Sequence, residues 1–158
     1  MRRFFPSLVV VFASILLVCG RDSLNTDEMK MLQDSGGWEI ISMSRNQANG
    51  FPTQSPCFDG RPHPGQCSGV LILTKSNTFS QTVRIQGQSV RRTGTYQLSG
   101  DQLAFVDELG TQDGPYTLTL NTQAKSLILQ MPQVRMELLL ESEYRKNLEE
   151  QRKRDHAR

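Results

Sequence analysis

The residues best suited to metal chemistry lie together in one long segment, 46–68. It contains Cys57, Asp59, His63 and Cys67, whose side chains are all possible zinc ligands. Structural zinc normally takes four protein ligands and pairs cysteines at Cys-x-x-Cys spacing, which these cysteines do not have. We therefore expect no metal site here and no cofactor.

Residues for catalysis are equally sparse. The two histidines, His63 and His156, lack a nearby serine elbow, and no glycine-rich phosphate loop follows a strand. Asp107 and Glu108 are neighbours at the end of a predicted strand, so their side chains point to opposite faces and cannot act as opposed carboxylates. The sequence predicts a protein that is not an enzyme.

The first twenty residues predict a secretion signal. A basic start, Met1-Arg2-Arg3, precedes an unbroken apolar run from Leu8 to Val18. A helix needs about twenty apolar residues to span a bilayer, so the run is too short for a membrane anchor and has the length of a signal peptide. We expect an exported chain in the cell envelope, in the outer membrane or the periplasm.

Two processing routes remain open at the end of this run. Leu16-Leu17-Val18-Cys19 resembles the lipobox of bacterial lipoproteins, in which the cysteine becomes the lipidated, palmitate-bearing first residue. That pattern has Gly, Ala or Ser before the cysteine, where this chain has Val18. Ordinary cleavage around Val18-Cys19-Gly20 would instead discard Cys19. The lipobox interpretation, which we favour, predicts a membrane anchor on Cys19.

The cysteine count agrees with export. The chain has three cysteines, and either route removes Cys19 from disulfide pairing. Cys57 and Cys67 are then an even pair in an oxidising compartment, where disulfides persist. A formal charge of +2 gives no strongly basic face, so we expect no nucleic-acid partner.

The pattern beyond the signal predicts one domain with a helix at each end. Residues 21–35 contain a short helix with Asn25 as its N-cap and Glu28 completing a capping box, and Gly36-Gly37 ends it. Residues 36–140 alternate between apolar and polar types in short runs that are separated by turn signals. Residues 141–158 are charged on all sides, which predicts a helical or disordered tail.

The alternating region predicts an all-β fold with eight strands. Their expected ranges are Trp38–Ser44, Val70–Thr74, Thr78–Ile85, Arg92–Leu98, Gln102–Asp107, Pro115–Leu120, Ser126–Met131 and Val134–Leu140.

Several segments of this region resemble the lipocalin-like (calycin-type) barrels of bacterial envelope proteins. They are Gly36-Gly37-Trp38-Glu39-Ile40, the run from Leu71 to Phe79, and Gly94-Thr95-Tyr96 with the strand, turn and strand that follow it to Leu103. The resemblance covers residues 36–140 and implies an eight-stranded antiparallel up-and-down barrel with Trp38 near its closed end. It transfers no ligand, because such barrels differ in whether their interior is filled or hollow.

Two functions remain open. In the first, the barrel binds a small apolar ligand. The sequence does not identify a protein partner for the chain. The candidate wall residues for that ligand are Trp38, Phe79, Gln81, Tyr96, Phe105 and Tyr116. In the second, the barrel is filled by its own side chains and has a structural or protein-interaction role. Segment 46–68 is either a lid over the barrel or an insertion without a binding role that a Cys57–Cys67 disulfide stabilises.

Overall fold

A computed structural model describes residues 23–34, 36–45, 67–85 and 88–157. In this part of the chain, eight strands lie between two helices. The elements are α1 (Thr26–Asp34), β1 (Trp38–Arg45), β2 (Cys67–Leu73), β3 (Thr78–Ile85), β4 (Gln88–Ser99), β5 (Gln102–Asp107), β6 (Gln112–Asn121), β7 (Ser126–Gln130), β8 (Val134–Leu140) and α2 (Glu141–His156).

The eight strands form a closed barrel in which each strand pairs antiparallel with the next. β8 returns to β1 and closes the barrel, with Trp38 opposite Leu140 and Ile40 opposite Leu138. Closure leaves no free sheet edge, and strand alternation puts one face of every strand inside. The predicted all-β, up-and-down barrel with a helix at each end is confirmed.

Helix α1 begins with the predicted capping box. The Oδ1 atom of Asn25 accepts hydrogen bonds from the backbone N–H groups of Asp27 and Glu28, each at 3.0 Å. The Glu28 carboxylate accepts the Asn25 N–H at 2.8 Å. These bonds satisfy backbone donors that a helix start leaves unpaired. Gly36, at φ +96°, turns the chain from α1 toward β1.

Helix α1 covers one end of the barrel, which we call the closed end. Leu32 is fully buried, and its carbonyl accepts a hydrogen bond from Trp38 Nε1 at 3.2 Å. Gln33 Nε2 donates to the hydroxyl of Tyr96 at 2.7 Å. Lys75, in the turn between β2 and β3, lies 2.6 Å from the Asp34 carboxylate. Contacts to β1, β4 and the β2–β3 turn therefore hold α1 in place.

The core behind α1 is tightly filled. The largest fully buried side chains are those of a tryptophan and several leucines contributed by α1 and five different strands. They are Trp38, Leu32, Leu71, Leu73, Leu103, Leu127, Leu129 and Leu138. Each leucine removed from water contributes about 1.5–3 kcal/mol, so this packing is the main source of the barrel's stability.

An irregularity in the register between β5 and β6 changes which residues face the interior. Leu103 lies opposite Tyr116, but Phe105 lies opposite Asp113, so one extra residue is accommodated around Pro115. The sequence analysis began β6 at Pro115, whereas the strand starts at Gln112. Because side chains alternate between faces, this one-residue shift brings Asp113 onto the same face as Phe105.

Helix α2 follows β8 without a loop, and the Glu141 N–H donates to the Gly37 carbonyl at 2.9 Å. The tail that we expected to be helical or disordered is one helix as far as His156. None of its residues is fully buried. In the part of the chain that the structure describes, no helix is both long and apolar enough to cross a membrane.

Candidate functional site

Two of the six candidate wall residues lie at the closed end and hold α1. Trp38 is completely buried and bonds to the last turn of α1. The Tyr96 hydroxyl donates to the Thr74 carbonyl at 2.7 Å while it accepts from Gln33. Burial raises the pKa of Tyr96, so the phenol keeps its proton for this bond. The contacts of both side chains are structural.

Three other candidates form what we call the aromatic floor: Phe79, Phe105 and Tyr116. The Phe79 and Phe105 ring centroids are 4.8 Å apart with the rings inclined at 63°. Phe105 and Tyr116 are 5.9 Å apart at 68°. Edge-to-face pairs of this kind contribute about 0.5–1.5 kcal/mol beyond their buried area. The side chains of the aromatic floor are at most 5% exposed.

Next to the floor, an ion pair lies on the inner faces of β4 and β6. Arg92 Nη1 is 2.7 Å from Asp113 Oδ2, and the Tyr116 hydroxyl donates to Asp113 Oδ1 at 2.7 Å. The side chains of Arg92 and Asp113 are 29% and 26% exposed, so solvent reaches the pair. Both carboxylate oxygens of Asp113 therefore have a donor.

Gln81, the sixth candidate, lies beside this pair. It is directly opposite Arg92 in the β3–β4 register and shares the inner face with Phe79. Its side chain is half-buried, and among the described residues its amide has no hydrogen-bond partner. In the part of the chain that the structure describes, no fully buried side-chain polar atom lacks a hydrogen-bond partner. We call Gln81, Arg92, Asp113 and the Tyr116 hydroxyl the mouth cluster.

Within the mouth cluster, Tyr116 has a strongly perturbed pKa. Burial is the largest cause of a strongly raised pKa at Tyr116, and the hydrogen bond and negative charge of Asp113 raise the pKa further. Arg92 acts in the opposite direction but is outweighed. Tyr116 thus stays a neutral donor at physiological pH, and its proton is directed at Asp113.

Apolar side chains continue from the floor toward the end of the barrel opposite α1, which we call the mouth. They are partly buried against the core and come from β1, β3, β8 and the turn before β8. They are Met43, Val83, Val134 and Met131. β1 ends and β2 begins at this same end of the barrel.

A second concavity lies outside the barrel, where α1 begins. Its volume is about 490 Å³, and it is bounded by Leu24 and Met29 on one side and by Gln97 to Gly100 on the other. Its lining residues are uncharged, and four of them are polar: Ser23, Asn77, Tyr96 and Gln97. The mouth instead has an ion pair and an amide on the inner faces of its strands, groups that can orient a small molecule, so it is the stronger candidate.

Several sequence predictions fall outside the described residues. These are the signal peptide with Cys19, the Cys57–Cys67 disulfide, the expected absence of a metal site at Cys57, Asp59, His63 and Cys67, and the role of segment 46–68, of which only residues 67 and 68 are described. They stay predictions. Arg92 and Asp113 were not predicted as site residues, and the structure brings them together with Gln81 and Tyr116.

Comparison with known proteins gives no family for this chain: no family model matches it, and neither a curated protein nor a solved structure has significant similarity to it. The site therefore has to be interpreted from its own geometry.

Proposed function

We propose that this chain is an exported, lipid-anchored protein of the bacterial cell envelope whose lipocalin-like barrel binds a small, largely apolar ligand at its mouth. The mouth cluster is the observation that carries the proposal. An ion pair, a phenol and an amide that has no partner among the described residues converge inside a barrel whose other inward side chains are mostly apolar. Removing charges from water, even in part, is costly, and a barrel that is only filled would be at least as stable with apolar residues there.

The surroundings of the cluster have the composition of a ligand site. Apolar and aromatic walls with a few convergent polar groups are typical of small-molecule pockets. Here the aromatic floor and Val83 supply apolar surface, and Arg92 and Gln81 supply the polar groups. The set has no nucleophile activated by a base, so the proposed role is binding without catalysis and without a cofactor.

The second candidate function is a structural or protein-interaction role for a filled barrel. The complete burial of Trp38, Leu71, Leu103 and Leu138 favours it, because the closed half of the barrel has no room for a ligand. The two functions therefore make different predictions only for the mouth, whose side chains are half-buried.

We expect the mature chain without its lipidated cysteine, residues 20–158, to bind the neutral apolar dye Nile red saturably, one dye per barrel. Val83→Trp fills the inner face of β3 near the mouth and should weaken dye binding at least about ten-fold. Ile72→Trp is the matched control, because Ile72 lies on the outer face of neighbouring β2 and is 38% exposed. Fluorescence titration measures both.

Absence of saturable dye binding in the wild-type chain would favour the filled barrel. Equal weakening by Val83→Trp and Ile72→Trp would place the dye outside the barrel. Thermal unfolding of both variants establishes that they remain folded during the titration.

The lipid anchor has its own test. Cells supplied with an alkyne-bearing fatty acid should incorporate it into the wild-type chain in the membrane fraction, and Cys19→Ser should remove that label. The reason is that the acyl chains of a lipoprotein are attached at the cysteine that becomes its first residue. Cys57→Ser is the control and should keep the label. An unlabelled, soluble wild-type chain beginning at Gly20 would establish ordinary cleavage instead.

A further inference from the structure

The charge of the mouth cluster restricts which ligand it can accept. Arg92 contributes one positive charge and Asp113 one negative charge, 2.7 Å apart, while Tyr116 and Gln81 are neutral. The next carboxylate on the inner phase, Asp107, accepts the backbone N–H groups of Leu109 and Thr111 through Oδ1 in its own turn. The positive charge of Arg92 is thus already compensated before any ligand arrives.

Asp113 and Tyr116 already use their hydrogen-bonding groups within the cluster. Asp113 accepts from Arg92 with one oxygen and from Tyr116 with the other, and Tyr116 has no second proton to give. Arg92 uses one N–H on Asp113, and its guanidinium has five. In the described part of the chain, Arg92's other N–H groups and the Gln81 amide have no partner. A ligand therefore meets donors from Arg92 and an amide that can both donate and accept.

These two properties favour an uncharged oxygen over an anion. A carboxylate bound to Arg92 would place a second negative charge beside Asp113, leaving one charge uncompensated in a half-buried site, which is costly. A cationic ligand would be repelled by the positive guanidinium of Arg92. A carbonyl, ester or hydroxyl oxygen needs only to replace water on Arg92 and Gln81 and leaves the ion pair intact.

Resting on the ligand-binding function proposed above, we propose that the ligand class is an uncharged amphipathic molecule. It has an apolar chain that contacts the partly buried apolar side chains of the mouth, such as Val83, and an ester, carbonyl or hydroxyl head that hydrogen-bonds to Arg92 and Gln81. Asp113 is the specificity-determining residue, because its negative charge rejects fatty-acid carboxylates.

A matched pair of probes tests the inference: dodecanoate and methyl dodecanoate, which share a chain and differ in head charge. Each competes with Nile red for the mature chain at neutral pH, below its aggregation limit. We expect the ester to displace the dye at a concentration at least about ten-fold lower than the carboxylate requires. This comparison needs no variant.

Asp113→Asn then tests the cause of the preference. The amide retains an acceptor for Tyr116 but removes the charge that compensates Arg92, so affinity for dodecanoate should rise about ten-fold and that for the ester should change little. Asp107→Asn is the matched control. It makes the same change of charge at the same end of the barrel and keeps an acceptor for the turn, so it should leave the preference unchanged.

The outcomes separate this inference from the proposed function. Saturable Nile red binding with a preference for dodecanoate contradicts the uncharged ligand class but agrees with the proposed binding of apolar ligands. Dye binding that neither probe competes with also overturns it, as does an equal gain in Asp107→Asn and Asp113→Asn. Failure of Nile red to bind the wild-type chain instead contradicts the proposed function itself. Should Asp113→Asn fail to fold, the wild-type preference alone decides.

Discussion

Trp38→Ala should lower the free energy of unfolding by about 3–5 kcal/mol, the range found for large aromatic side chains removed from protein cores. Trp38 is completely buried at the closed end, where α1 and the leucines of the core surround it. Its Nε1 atom also donates to the Leu32 carbonyl, so the substitution both opens a cavity and leaves a buried acceptor of α1 without its donor. Urea unfolding followed by circular dichroism measures the loss.

Two further variants separate the contributions of Trp38. Trp38→Phe keeps an aromatic ring but removes the donor, and it should cost clearly less than alanine. Leu109→Ala, at a side chain that is 91% exposed, should stay within about 0.5 kcal/mol of the wild type. A loss below about 1 kcal/mol for Trp38→Ala would contradict the closure of the barrel by α1 and Trp38.

The barrel itself was predictable because local signals coincide with strand ends. Asn77, at φ 58°, and Gly100, at φ 60°, lie in two of the turns that the sequence predicted, and both residue types tolerate this conformation. The capping box of Asn25 and Glu28 likewise uses only neighbouring residues. Such preferences depend only on neighbouring residues, so the sequence alone predicts them.

The mouth cluster was less predictable, because one of its members, Asp113, depends on a long-range register. Simple alternation from Tyr116 puts Asp113 on the outer face, and only the shift between β5 and β6 reverses this. No local pattern around Asp113 predicts that shift. The expected strand ranges therefore leave Asp113 between the fifth and sixth strands.

Arg92 did leave a signal in the sequence. It shares the inner phase with Tyr96 in β4, so a charged residue occupies a position that alternation reserves for apolar side chains. Gln81 breaks the pattern of β3 in the same way, and the two lie opposite each other. Two such exceptions in adjacent strands indicate a polar site inside a barrel more strongly than either alone.

The roles of Trp38 and Tyr96 depended on tertiary contacts in a similar way. Both have the size and the inward phase of ligand-wall residues. Their hydrogen bonds with Leu32 and Gln33 exist only because α1 folds back over this end of the barrel. The sequence predicted the helix but not which side chains of the barrel it would contact.

Gly94→Ala should be the second severely destabilising substitution. A Cβ atom at Gly94 would lie 2.1 Å from the Val106 carbonyl oxygen and 2.8 Å from the Asp107 Cα, both backbone atoms of β5. It would also lie 3.0 Å from a ring carbon of Phe79 in the aromatic floor. Because backbone cannot rotate away as a side chain can, β4 and β5 must separate. We expect a loss of about 3 kcal/mol, the upper part of the range for overpacking.

The same substitution links the fold to the proposed site. Arg92 precedes Gly94 by one inner-face position on β4, so a displacement of β4 moves the guanidinium away from Asp113. Nile red binding should therefore weaken in Gly94→Ala at temperatures where the chain is still folded. Gly110→Ala is the control, since φ is +79° there but nothing lies within 4 Å, and it should cost only about 1 kcal/mol from backbone strain. If both glycine variants lose the same stability, the close approach of β4 to β5 is not what requires a glycine at position 94.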